Sequence, residues 1–334
     1  MNHNLTEITP YKISERIFSP DMAYLDWNEG YDLPEEIKAK IKEEIEKIKL
    51  NQYPDPKSTE LRRAISKYTE VDESFIHVFN GSDSALDHSF RVLLNLGDTV
   101  CIPYPNYSQI NQTIVSIGAK IEYCDINSIE ESIIQNSQIK VVYLSNPNNP
   151  IGYLYDVQPL ILKYPDIYFV VDEAYYEFSK QYSMFKDAYK YPNVIVTRTF
   201  SKALSLASLR LGYLTTNSYI MNQINKIKNF KEVNTLAQVS GKVILDHISL
   251  IENNIIKMKE VKRDFLKKIK GVRVYDSHAN FVLIEHPRVK KIIEELKDEK
   301  ILVRDRSDYI KSTLRITIGS FEKMQIIADV INGN

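Results

Sequence analysis

The sequence predicts an α/β protein: a seven-stranded, mostly parallel sheet covered by helices, followed by a smaller α+β domain. Three observations carry this. From residue 75 onward, short apolar runs alternate with helical or loop segments, the order that builds a parallel sheet. Several of these runs are apolar at consecutive positions, as expected of strands buried on both faces. Beyond about residue 270 the pattern changes to short strands with amphipathic helices between and after them.

In chain order, residues 1–30 show no long period and read as an arm lying on another surface. Asp32-Leu33-Pro34-Glu35 is expected to open a helix, with Asp32 as N-cap, Pro34 just inside and Glu35 at the capping-box position. Ile37, Ile41, Ile45 and Ile48 form its apolar stripe, and Asn51 ends it. The irregular NQYPDPKSTE comes next, then an amphipathic helix over 60–68. Strands are expected at 76–79, 99–102, 120–123, 141–144, 167–171, 194–199 and 211–215. The stretch 219–270 reads as a long helix leaving the sheet and a second after a break. Strands at 272–275, 280–284, 301–304 and 313–318, with helices at 288–299 and 322–331, complete the small domain. The expected division is 1–49 as arm and helix, packing with the small domain and a partner subunit; 50–235 as the large domain; and 236–334 as the small one.

Composition narrows the function. A net charge of −1 draws neither nucleic acid nor an anionic membrane. The beginning, MNHNLTEITPYKISERIF, lacks the apolar core of a signal peptide, and no stretch reaches the length of a membrane span, so a cytoplasmic protein is expected. Cys101 and Cys124 have no metal-ligand spacing and read as small apolar groups at strand ends, without a disulfide. No G-x-G-x-x-G or G-x-x-x-x-G-K-[ST] occurs, which removes the main support for dinucleotide and P-loop readings.

Four stretches carry possible chemistry. Lys202 follows a β-branched strand on a Ser-Lys turn, with Arg210 eight positions on. Lysine forms Schiff bases and arginine's planar fork suits phosphate, although most such pairs are solvated surface. Asn80-Gly81-Ser82-Asp83 begins a helix and reads as an anion site or a plain N-cap. Asp172 ends an apolar strand, where an unpaired charge is costly; with Glu173 and Tyr175 it suits a catalytic group, a metal edge or a structural cap. Ser145-Asn146-Pro147-Asn148-Asn149-Pro150-Ile151-Gly152 is either a rigid loop aiming an Asn amide or an ordinary turn.

Together and in this order, the motifs resemble the fold-type I pyridoxal-phosphate (PLP) aminotransferases, closest to the histidinol-phosphate aminotransferase-like branch. The resemblance runs through ITPY, LDWNEG, NQYPDP, LRRAI, NGSD, PYPNY, NPNNPIG, VVDEAYYEF, RTFSKALSLASLRLGY, ANFVLI, ILVRDR and LRITIG. It implies that Lys202 forms the Schiff base with pyridoxal 5′-phosphate and shuttles the substrate proton. It further implies that Asp172 pairs with the pyridine nitrogen, that Tyr175 and Asn149 bond the cofactor's O3′, and that Tyr107 stacks on its ring. Gly81, Ser82 and Asp83 match the phosphate loop, with Thr199, Ser201 and Arg210 on its other side. Tyr53 matches a tyrosine that reaches the neighbouring subunit's phosphate, implying a homodimer with shared sites. Arg315 matches the substrate-carboxylate clamp and shares a strand face with Thr317. Arg304 and Arg306 are candidates for a second anionic group on the substrate, and Asn28 with Glu29 match the arm's substrate-side pair. No metal is implied. Gly30, Tyr31, Ile151, Leu206 and Ser208 depart from the family pattern and are expected to alter the substrate pocket. The expected activity is transamination of a small, possibly phosphorylated, amino acid or amine. The alternatives are decarboxylation of a phosphorylated amino acid and a non-catalytic sensor on the same fold.

Overall fold

All seven expected strands of the large sheet form. They pair in the order Ile76–Phe79, Gly212–Thr216, Val194–Thr199, Tyr168–Asp172, Ile139–Ser145, Thr99–Pro103, Lys120–Cys124 in a computed structural model that describes Thr6, Arg16 and residues 18–333. The ITPY motif at 8–11 lies outside the described residues. Gly212–Thr216 runs antiparallel to both its neighbours, while the other pairs are parallel. The consecutive apolar runs are explained by two cores. Val141 and Tyr143 point into one with Phe79, Leu86 and Phe90; Val142 and Leu144 point into the other with Phe169, Val196 and Phe200.

The small sheet is antiparallel, in the order Arg304–Asp305, Thr313–Thr317, Phe281–Glu285, Arg273–Val274. The single strand expected at 301–304 is two: Ile301–Leu302 pairs in parallel with Ala23–Tyr24 of the arm, and Arg304–Asp305 pairs with Thr313–Thr317. The surface beneath the arm is therefore its own small domain, whose core takes in Ala23, Leu25 and Tyr31. That seating carries residues 26–29 to the edge of the large sheet.

Two helix readings need correcting. The first helix is Glu35–Glu46, starting on Pro34 and closing at Lys47, not at Asp32 and Asn51. The Asp32 carboxylate is occupied locally, accepting from the Leu33 N–H at 2.8 Å and from Lys38 Nζ at 2.5 Å. The stretch expected to hold two helices holds three, Ser218–Asn225, Thr235–Asp246 and Ile248–Lys268, and the long one comes last. Asn234 interrupts it, because its side chain accepts a backbone N–H and caps the helix that follows; Asn217, just before the stretch, caps the first helix in the same way. The buried residues Ala237, Ile244 and Ile251 belong to a core of the large sheet and Ile255 to the small core, so the cores change over within Ile248–Lys268. Cys101 and Cys124 are free thiols on neighbouring strands, 3.3 Å apart. Among the described residues no helix is long and apolar enough to cross a membrane.

Candidate active site

Ser145, Asp172 and Thr199 are the last residues of three adjacent strands, so they share one edge of the sheet. Phe79 and Thr199 both register with Gly212, which brings the start of the Gly81–Leu93 helix to the same edge. This is the carboxyl edge, where open α/β sheets bind ligands. A cavity of about 340 Å³ opens there, reached from the other side by Arg306 and Arg315 of the small domain and by Trp27 and Asn28 of the arm.

Lys202 projects into this cavity and its Nζ donates to the Trp27 carbonyl at 2.7 Å. Enclosure disfavours the ammonium, and nearby Arg315 adds to the effect, so the lysine's pKa falls to about 8. A neutral, nucleophilic amine is thus accessible near physiological pH.

Asp172 faces the same space. Its carboxylate accepts from Thr197 Oγ1 at 3.1 Å and from the Tyr143 hydroxyl at 3.4 Å. Burial, with a smaller contribution from Asp83, raises it to about 7. The next residue shows the contrast. Glu173 follows the last strand residue, and its carboxylate meets Arg198 at 2.8 Å, both side chains buried. Glu173 has its counter-ion; among the described residues Asp172 has none. A buried carboxylate in that position fits a cationic group supplied by a ligand.

Around this pair the side chains hold one another in place. The Tyr175 hydroxyl accepts from Asn28 Nδ2 at 2.8 Å, and burial pushes its pKa up. Arg315 donates to Asn149 Oδ1 at 2.5 Å and to the Asp26 carbonyl at 2.7 Å. Thr317, on the same strand face, bonds Asn28 Oδ1 at 3.2 Å. The Asn-Pro loop is rigid, with Asn146 Nδ2 bonded to the Tyr155 carbonyl at 2.9 Å and Asn148 Nδ2 to the Pro105 carbonyl at 3.1 Å. At the helix start, Asp83 Oδ1 accepts from the Tyr107 hydroxyl at 2.9 Å, and Oδ2 from Arg210 at 3.0 Å. Gly212 is required there, because a Cβ would lie 2.3 Å from the Ser82 nitrogen. Ser82, with the unpaired N–H groups of the first turn, faces the cavity together with Thr199, Ser201 and Arg210. Four cationic side chains and two carboxylates line the space, a balance suited to a ligand with more than one anionic group.

Most of the residues singled out from the sequence therefore meet in one cavity. Besides Glu29, whose carboxylate is held by Arg16, three of those matched to the cofactor or substrate do not line it. Gly81 opens the helix from behind, with φ at +81°. Tyr53 is 80% exposed, with Lys231 4.0 Å over its ring. Arg304 is the third. Arg306 lines the cavity instead, because the two-residue strand Arg304–Asp305 gives way to a turn there. Arg306 is buried, lies 5.1 Å from the ring of Tyr309, and has no carboxylate partner among the described residues. The Tyr309 hydroxyl in turn reaches Ser108 Oγ at 2.7 Å, joining this loop to the one carrying Tyr107. Gly30, Tyr31, Ile151, Leu206 and Ser208 do not line the cavity either, so the departures expected to reshape it lie behind its walls. Tyr31, for instance, bonds the Gly319 carbonyl at 2.6 Å. Sequence reasoning missed Trp27 and Gln109. Trp27 stands inside the quoted LDWNEG, whereas nothing in Gln109's type marks it.

Known proteins bear on this arrangement. The description of the family that matches residues 22–331 is aminotransferase class I and II. A dihydroxyacetone phosphate transaminase of Campylobacter jejuni is 33% identical, covering 99% of this chain and 96% of that protein. A histidinol-phosphate aminotransferase of Clostridium novyi is 36% identical over 93% of this chain and 91% of its own length. Among solved structures, the histidinol-phosphate aminotransferase of Sinorhizobium meliloti in complex with pyridoxal-5'-phosphate superposes with a TM-score of 0.83, covering 93% of this chain and 90% of that one. At 21% identity this last likeness speaks for the fold. Similarity that runs nearly from end to end, in sequence and in fold, places the chain in the class I and II aminotransferases, a family of pyridoxal-phosphate-dependent enzymes.

Proposed function

We propose that this aminotransferase moves amino groups between a small phosphorylated amino acid or amine and a keto acid, working as a homodimer on pyridoxal 5′-phosphate. One observation carries the reading. A lysine of lowered basicity and a buried carboxylate without a counter-ion face one cavity. When bound, the cofactor supplies an electron-accepting ring that lets the amine's Cα–H bond break. Lys202 would hold it covalently and then move the proton at the substrate's Cα. Asp172 would keep the ring nitrogen protonated, Tyr175 and Asn149 would bond O3′, and Tyr107 would stack on the ring. Ser82, Asp83, Thr199, Ser201 and Arg210 would surround the phosphate, with Gly81 setting the turn. Arg315 and Asn28 would face the substrate. The deciding experiment is a screen of amino donors that detects both keto product and CO₂. Keto product from a phosphorylated donor supports the proposal, whereas CO₂ without keto product makes the enzyme a decarboxylase.

Arg306 rather than Arg304 is assigned to the phosphate of the substrate. The phosphorylated compounds in the names of both sequence relatives favour such a group. Arg306→Ala should lower kcat/KM for phosphoserine about tenfold or more, the cost of one charge-assisted contact in an enclosed site, and change serine little. Equal loss on the two donors would show that Arg306 does not read phosphate.

Tyr53 supports the shared site, being exposed and outside the lining of its own cavity. Tyr53→Phe should weaken cofactor binding. Mixed and refolded with the Lys202→Ala variant, it should recover part of the activity, because some hybrid dimers regain one intact site. No recovery above the sum of the two inactive variants would count against sharing.

A further inference from the structure

Arg16 has no role in the reading above, yet among the described residues of the arm it is one of the most heavily engaged side chains. Its side chain is 5% exposed. Nη2 meets Asp26 Oδ1 at 2.6 Å, and the fork grips Glu29 in bidentate fashion, Nη1 to Oε1 at 3.0 Å and Nη2 to Oε2 at 2.7 Å. The guanidinium also lies 4.0 Å from the ring of Trp27 and 4.5 Å from that of Tyr24. One planar cation thus touches Asp26, Trp27 and Glu29, three residues of a four-residue segment.

That segment meets the functional groups from the substrate side. The Asp26 carbonyl accepts from Arg315, the Trp27 carbonyl from Lys202 Nζ, and Asn28 donates to the Tyr175 hydroxyl. Two of these contacts are made by backbone carbonyls, whose aim depends on where the whole segment lies. Asn28 sits in the left-handed region at φ +58°, so the segment is not in an extended conformation that would hold itself. Asn280 adds bonds to the Asn28 and Glu29 carbonyls at 3.1 and 3.3 Å from the small-domain side. Across from it, Arg16 supplies the charged grip.

We propose that Arg16 is a positioning residue, clamping the segment 26–29 so that the Asp26 carbonyl aims Arg315 and the Trp27 carbonyl aims Lys202. The inference rests on the assignment of those two residues to the active site. Arg16 touches neither of them. It acts through the segment, and a displacement of about 1 Å at reacting groups can cost up to a hundredfold in rate.

Trp27 is the only tryptophan of the chain, so its fluorescence reports on this segment directly and needs no turnover. Arg16→Lys keeps a cation beside the buried Asp26 carboxylate but cannot reproduce the bidentate fork or the flat stack on the indole. Arg16→Gln serves as a second variant that keeps hydrogen-bonding capacity without charge. In folded protein, both should shift Trp27 emission to the red and increase its quenching by acrylamide. Both should also lower kcat/KM for L-glutamate, or for another carboxylate donor that the wild type accepts, by about tenfold to a hundredfold per folded subunit. KM should rise because Arg315 loses its aim, and kcat should fall because Lys202 loses its own. Wild-type emission and quenching in both variants would overturn the inference, as would a moved Trp27 with kcat/KM within about twofold of wild type. Loss of the transaminase reading itself would appear as a wild type without amino transfer, leaving the fluorescence to decide on Arg16.

Discussion

Lys202→Ala is expected to leave a folded protein that binds pyridoxal phosphate without a covalent link and turns over at background rate. Two contributions disappear together: the covalent hold on the cofactor, and the base that moves the proton at the substrate's Cα. General acid–base catalysis alone is worth about 10²–10⁴-fold, so a loss of about 10⁴-fold or more is expected. Borohydride followed by proteolysis and mass spectrometry should place the cofactor on Lys202 in the wild type and nowhere in the variant. The fold should persist, because the side chain's hydrogen bond is to a single carbonyl, that of Trp27. A variant with wild-type turnover would remove the core of the proposed function.

Asp172→Asn is expected to cost roughly a thousandfold in kcat, about 4 kcal/mol of barrier, because an amide cannot hold a ring nitrogen protonated. The same substitution should have opposite signs for stability with and without cofactor. Without it, the folded-state pKa of Asp172, about 7, stands above the ordinary aspartate value of 3.8. A raised acid contributes stability that is complete below the unfolded value and is lost as pH rises through the folded one. The neutral amide escapes this loss, so at pH 8 the cofactor-free variant should melt above the cofactor-free wild type. With cofactor the order should reverse, because a cation beside the carboxylate gives its charge a partner. Thermal melts at pH 5 and pH 8, with and without pyridoxal phosphate, test both signs. A loss of only a few-fold in kcat would make Asp172 a structural residue.

The large sheet was legible because its strands are buried on both faces, which leaves runs such as Val141 to Leu144 without any polar interruption. The edge that carries the candidate site was legible because charged or special residues stand where those runs stop: Asp172, Lys202 after Thr199, and the Asn-Pro loop after Ser145. Arg306 against Arg304 was not decidable from spacing. In an extended strand, residues two apart share a face, and only the early end of Arg304–Asp305 separates them. The Tyr309–Ser108 contact joins parts of the chain far apart in sequence, and neither residue type announces it. The break in the helical stretch depended on Asn234 acting as a cap, a role that asparagine shares with ordinary turns. Trp27 was overlooked because much of its contribution comes from a carbonyl, which every residue has.

The sheet register has a consequence for how the chain acquires its structure. Among the described residues Ile76–Phe79, which leads into the Gly81–Leu93 helix, has a single strand neighbour, and that pairing joins Ile76 to Thr215. The neighbour in turn docks on Val194–Thr199. An early edge strand must therefore wait for a late segment, and closing so long a loop costs chain entropy before any contact is made. On a ribosome the first strand leaves the exit tunnel well before its partner is synthesised. The turn at Gly81 and Ser82 acquires its wall at Gly212 only when that pairing is complete, so this side of the cavity, the one proposed to hold the cofactor's phosphate, is a late product of folding.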